Sequence, residues 1–164
     1  MGASWYLRVF AKLDPVVMGP GSALRLSGTT LSKPMDARDF IKIGMSAERT
    51  LVVPAERTVG HFVPGMPMVY ATPMMILEME MTSGDAIRSA LQPGWVTVGT
   101  EVDIRHLAAA LVGATVRTTA KVIAVERRVI RFEVEAFEGT RKLGEGRHAR
   151  GLVNVETFNK RLGA

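Results

Sequence analysis

"YATPMMILEME", Tyr70–Glu80, decides how the rest of the chain is read. Eight of its eleven residues are apolar, counting Tyr70 and Pro73, yet Glu78 and Glu80 sit among the methionines. Pro73 suits the first turn of a helix, where the N–H it lacks has no intrahelical partner. Thr72 before it is a good N-cap type. The pattern predicts a helix from Tyr70 to about Leu91, stopped by "QPG", Gln92–Gly94. Residues four apart share a helix face. Thr72, Ile76 and Glu80 therefore point one way, and Glu78 points nearer Met74 and Met81. An unpaired carboxylate in a dry core costs several kcal/mol or takes up a proton. Glu80 is thus either paired or reached by solvent, with a plain surface position an equal alternative. Glu78 reads as ordinary, and the methionines as core or pocket lining, since Met fills irregular gaps.

Downstream the period changes from helical to two. Val116, Thr118, Ala120 and Val122 alternate, as do Ile130, Phe132, Val134 and Ala136, with Arg131, Glu133 and Glu135 on the opposite face. "WVTVGTEVDIRHL" (Trp95–Leu107) and the glycine-interrupted "RKLGEGRHARGLVNVE" (Arg141–Glu156) complete four long strands, and "ETFNKRL" closes as a short helix. Upstream, Thr50–Val53 is a short strand ended by Pro54, and "HFVPGMPMVY" (His61–Tyr70) a loop. One long helix against a curved antiparallel sheet is an α+β layer arrangement. Its exposed edge strand predicts a homodimer or a higher even oligomer.

The chain has 164 residues, one domain's worth. Residues 1–40 carry Pro/Gly punctuation without a sustained period and read as a disordered or over-extended segment, leaving 41–164 as the domain. The absence of cysteine excludes disulfides, thiolate metal sites and cysteine nucleophiles. The net charge is +5, but the basic residues are dispersed among acidic ones, which reads as a solvated surface and not a nucleic-acid face. The longest uncharged stretch, Phe62–Leu77, holds three prolines and is too short for an ordinary membrane span. No secretory signal is legible, so a cytoplasmic location is expected.

Phosphate-binding, dinucleotide, zinc-protease and serine-elbow motifs are all missing, and His61, His106 and His148 lack close-spaced ligand partners, so neither metal nor cofactor is expected. Thr72 alone is a helix cap, and His106 alone a strand-end histidine. Together with Glu80 they are a hydroxyl, an imidazole and a carboxylate, the parts of an acyl-transfer site.

"YATP" through Glu80, then "VGTEVDIRHLAA" (Val98–Ala109) and "GEGRHAR" (Gly144–Arg150), resemble the fluoroacetyl-CoA thioesterase-like family of hot-dog-fold proteins, from about residue 41 to the end. The resemblance implies the hot-dog fold, with Thr72, Glu80 and His106 as the catalytic set. It further implies Gly99, Thr100, His148 and Arg150 as substrate or CoA contacts, and a pocket lined by Val63, Met66, Tyr70 and Ile76. Val63 and Met66 stand where the fluoroacetate-specific enzyme has aromatic lid residues. The implied activity is hydrolysis of an acyl-CoA thioester, with Glu80 as base or nucleophile, His106 exchanging protons, Thr72 bonding the carboxylate or thioester oxygen, and Arg150 a candidate for CoA phosphates. A non-catalytic acyl-CoA or small-ligand binding module on the same fold is the alternative.

Overall fold

The alternating runs pair as their periods require. The computed structural model describes residues 35–163 and holds a five-stranded sheet in the order β1-β3-β4-β5-β2, antiparallel at every pairing. The strands are β1 (Ser46–Val52), β2 (Trp95–His106), β3 (Thr115–Val125), β4 (Val129–Glu138) and β5 (Arg141–Asn154). The helices are α1 (Val59–Phe62), α2 (Thr72–Arg88) and α3 (Val155–Leu162). In β3 and β4 the residues singled out by period two form the core face. Val116, Val122, Ile130, Phe132, Val134 and Ala136 are fully buried. A buried Phe such as Phe132 contributes about 2–3 kcal/mol of transfer free energy.

Helix α2 lies across that face. Its buried residues, Met75, Glu78, Met79, Thr82, Ser83, Ala86 and Ile87, recur at the three-then-four spacing of one helical side, and that side packs chiefly on β1 and β3. The helix is shorter than predicted at both ends. Ala71, not Thr72, is the N-cap residue, with no side-chain cap. The N–H groups of Met74 and Met75 both turn back to the Ala71 carbonyl, so the first turn closes without a hydroxyl. The chain leaves the helix at Ser89, three residues before "QPG".

Two further expectations are corrected. Strand β1 begins at Ser46, because its ladder to β3 runs from Ser46↔Lys121 to Val52↔Thr115. Residues 35–40, assigned by sequence to the N-terminal segment, pack onto the domain. Ala37 is fully buried in a 3₁₀ turn, Ala37–Asp39, and its N–H bonds to the Arg127 carbonyl at 2.9 Å. Residues 1–34 lie outside the described residues. Among those described, no helix is long and apolar enough to cross a membrane.

One irregularity positions the site. The β2–β5 register shifts between Gly99 and Glu101, so Thr100 is an extra residue in β2. Gly99 pairs with Arg150 and His106 with Gly144. Those partners are six apart on a regular stretch of β5 and share a face. Gly99 and His106, seven apart, would fall on opposite faces of an unbroken strand. The bulge turns both toward α2.

Candidate active site

Thr72 opens α2 and His106 ends β2, and the two meet, with Thr72 Oγ1 2.8 Å from His106 Nδ1. Because the first turn is already closed, the hydroxyl is free for the imidazole. The other ring nitrogen, Nε2, is buried and has no hydrogen-bond partner among the described residues. Whether it carries the ring proton or the lone pair, a buried polar atom is left unsatisfied, which costs about 1–3 kcal/mol and marks a place where a ligand or water completes the structure.

Two turns further along α2, Glu80 meets strands β5 and β2. Arg150 Nη1 donates to the Glu80 main-chain oxygen at 3.0 Å and to Oε1 at 3.2 Å. Its Nε and Nη2 donate to Thr97 Oγ1 and Thr97 O at 2.9 and 2.7 Å. Arg150 is 8% exposed, and burial pushes its pKa down, with Glu80 opposing that shift. His148 is also buried and donates from Nδ1 to the Glu101 carbonyl at 2.8 Å. Burial first, then the neighbouring Arg150, hold its pKa below the ordinary value of 6.5, against the opposing pull of the Glu101 carbonyl and of Glu80. The neutral ring turns Nε2 to Arg150 Nη1, 3.4 Å away. Glu80 itself remains 37% exposed. A Cβ at position 99 would stand 2.9 Å from Glu80 Oε1 and 3.2 Å from His148 Cε1, so the approach to the carboxylate is open because residue 99 is glycine. Thr100, on the bulge, donates to the Ala149 carbonyl at 3.1 Å.

The three residues of the expected catalytic set thus fall into two clusters on one face. Thr72 joins His106, not the carboxylate. Glu80, about 12 Å along the helix axis, joins Arg150, and among the described residues no hydrogen bond links it to Thr72 or His106. Of the expected pocket residues, Val63 and Met66 are half exposed on the loop before Thr72 and Ile76 is partly buried. Tyr70 is corrected: it is 1% exposed, belongs to the core, and donates its hydroxyl to the Met74 carbonyl at 3.1 Å. Among the described residues no cluster of three or more His, Asp or Glu side chains is placed to hold a metal.

Glu78, read from sequence as ordinary, is the buried acid, 3% exposed. Arg57 pairs with its Oε1, and Arg49 Nε donates to its Oε2 at 3.2 Å. Arg49 also reaches Asp85 at 2.8 Å, tying β1 to two turns of α2. The signal for this clasp was present in "ERT", which occurs at Glu48–Thr50 and again at Glu56–Thr58, so that one arginine stands within β1 and the other in the turn after it.

Residues 53–156 match the family described as fluoroacetyl-CoA-specific thioesterase. The fluoroacetyl-CoA thioesterase of Streptantibioticus cattleyicolor is 33% identical over 131 residues, 76% of this chain and 94% of that protein. The solved structure of the fluoroacetyl-CoA thioesterase FlK superposes with a TM-score of 0.71 at 32% identity, covering 75% of this chain and 96% of the other. A variant of FlK solved with fluoroacetate and CoA gives 0.68 at 34%, over 73% of this chain and 100% of its own. A hot-dog-like protein from Thermanaerovibrio acidaminovorans, only 22% identical, shares the fold with a TM-score of 0.72 over 79% of this chain and 96% of its own. The long helix against the curved sheet is the hot-dog fold.

Proposed function

The chain belongs to the fluoroacetyl-CoA-specific thioesterase family, and we propose that it hydrolyses an acyl-CoA thioester to free acid and CoA with Thr72, His106 and Glu80 as the reacting groups. The observation that carries this reading is the 2.8 Å bond between Thr72 and His106 beside a ring nitrogen that has no partner among the described residues. The pair stands at the positive end of a 17-residue helix, where the oxyanion formed on attack at a thioester carbonyl is stabilised. Water adds to the carbonyl carbon as Glu80 takes its proton. The C–S bond then breaks, the sulfur leaves with a ring proton of His106, and the proton taken by Glu80 is relayed through water back to the imidazole. No step calls for a metal or a resident cofactor.

The long free edge of the sheet supports a homodimer. Strand β2 is a twelve-residue edge, with Val96 and Val102 exposed on it. Within one chain His106 lies seven residues from Gly99, about 23 Å along the strand. If β2 pairs antiparallel with its own copy about its midpoint, Gly99 faces residue 102 of that copy. The partner subunit's His106 is then four residues, about 13 Å, from Gly99 along the strands, a spacing like the roughly 12 Å between Thr72 and Glu80 along α2, so a site shared across the dimer is as close as one within a chain.

The test is release of free CoA from short, branched and aryl acyl-CoAs, by the parent protein, Glu80→Gln, His106→Ala, and the two variants mixed. Turnover by the parent, its loss in each variant and its return on mixing are expected, since a mixed dimer regains one intact site. Binding without turnover across the panel leaves the binding module in place of the enzyme. A monomer in sedimentation at micromolar concentration, or no return on mixing, removes the shared site.

A further inference from the structure

Two cavities meet at Trp95. One, about 460 Å³, runs between the end of α2 and the start of β2, from Arg150 past Thr97 and Arg88 to the indole. The other, about 390 Å³, lies beyond the same ring and is walled by Arg128, Phe158 and Arg161. The Arg128 guanidinium already sits over the Trp95 ring, 5.6 Å from its centroid. Arg128 and Arg161 are both exposed. Neither has a carboxylate partner among the described residues, whereas Arg88 on the same groove is paired with Asp85.

An indole face flanked by two unpaired guanidiniums is suited to a ligand with an aromatic ring and phosphates. The ring stacks on Trp95, and the forked N–H groups of arginine match phosphate oxygens. The groove gives this seat its connection to the chemistry. Its inner end is Arg150, which holds Glu80, and Trp95 stands four residues from Gly99 on β2, about 13 Å, within the reach of an extended pantetheine arm. Arg150 cannot serve the phosphates itself. It is buried, and its Nε, Nη1 and Nη2 are all engaged with Thr97, Glu80 and His148.

We propose that Trp95, Arg128 and Arg161 form the seat for the phosphoadenosine end of CoA, with the pantetheine arm running in the groove past Thr97. The proposal rests on the thioesterase reading but is tested by binding as well as by turnover. Adenosine 3′,5′-bisphosphate is titrated calorimetrically into the full chain and into an Arg128→Ala/Arg161→Ala variant, with melting checked for both. Saturable binding is expected, weakened about tenfold or more in the variant, the scale of a lost charge-assisted contact. Trp95→Leu, if it folds, weakens binding likewise, and inorganic phosphate binds far more weakly than the bisphosphate. The ratio of kcat/KM for an acyl-CoA to that for the matching acyl-N-acetylcysteamine thioester, which has no nucleotide, falls by a similar factor in the arginine variant. Absence of bisphosphate binding to the parent overturns the proposal. So does equal binding by parent and arginine variant, equal affinity for inorganic phosphate, or an unchanged ratio in an enzyme that turns over both thioesters. If neither thioester is hydrolysed while the bisphosphate still binds through the arginines, the thioesterase reading fails and the nucleotide seat stands.

Discussion

Glu78 and Glu80 stand two residues apart on the same helix and lead opposite lives. Successive helical residues turn by about 100°, so the two carboxylates project from nearly opposite sides of α2. Glu78 enters the layer between helix and sheet, with its side chain 4% exposed and two arginines closing on it. Glu80 faces the cleft by Gly99, 37% exposed, with one arginine on one of its oxygens. The more deeply buried acid is therefore the one whose partners account for it. A carboxylate clasped by cations from two other segments fastens those segments together. A carboxylate left half open beside a glycine, with a neutral histidine next to it, is free to meet a substrate. Burial alone does not identify the working residue; what surrounds the unpaired part of the group does.

The contrast can be broken most sharply at Glu80. Glu80→Gln keeps size and hydrogen bonding but removes the base. Turnover per folded molecule is expected to fall by about two to four orders of magnitude, read as the rate of CoA release corrected for folded fraction. Equal rates for variant and parent end the catalytic role.

Glu78→Gln should reverse the pattern. Arg57 and Arg49 lose their anion in a buried setting, and stability is expected to drop by about 3 kcal/mol. That is the low end for a broken buried pair, because both arginines keep some contact with water. A shift of the urea midpoint measures it, with turnover per folded molecule near the parent's. A loss of rate matching that of Glu80→Gln would erase the distinction between the two acids.

Gly99→Ala sharpens the Glu80 side. The new methyl group meets the far end of a flexible side chain at 2.9 Å. The carboxylate swings away at little cost in stability, and turnover is expected to fall about tenfold, as for a sub-ångström to ångström misplacement of a catalytic group. A normal rate with normal melting would show that Glu80 need not stay where Arg150 holds it.

The smallest effect concerns the histidine beside that pair. Burial depresses the His148 pKa, so the unfolded chain binds a proton there before the folded one does. Its contribution to stability is fully present above the unfolded value near 6.5 and is lost as pH falls below it toward the depressed folded value. The urea midpoint should fall between about pH 7 and pH 5.5 less steeply in His148→Gln than in the parent. Identical slopes would remove His148 as the source.

Much of this was legible in the chain. Period two in β3 and β4 named the core face residue by residue, because a sheet packed on one side admits only one register of apolar side chains. Thr72, Glu80 and His106 were singled out by residue type, spacing and family likeness, since chemistry of this kind draws on few side chains. What escaped were features that depend on a distant segment. Thr72 looked like a cap, yet the turn closes on the Ala71 carbonyl and gives the hydroxyl to a residue 34 positions away. Tyr70 looked like pocket lining, yet the loop it ends folds it under the helix. Glu78 looked ordinary because its two cations lie in β1 and in the turn after it.

The sequence by itself determined the helix, the strands and the core face, because local periodicity is a property of the residues. Only the tertiary structure decided which acid is buried, that one extra residue at Thr100 brings Gly99 and His106 to the same face, and that Thr72 with His106 stands apart from Glu80 with Arg150. Those outcomes follow from strand register and from ion pairs between segments far apart in the chain, and such contacts leave no period in the sequence from which to read them.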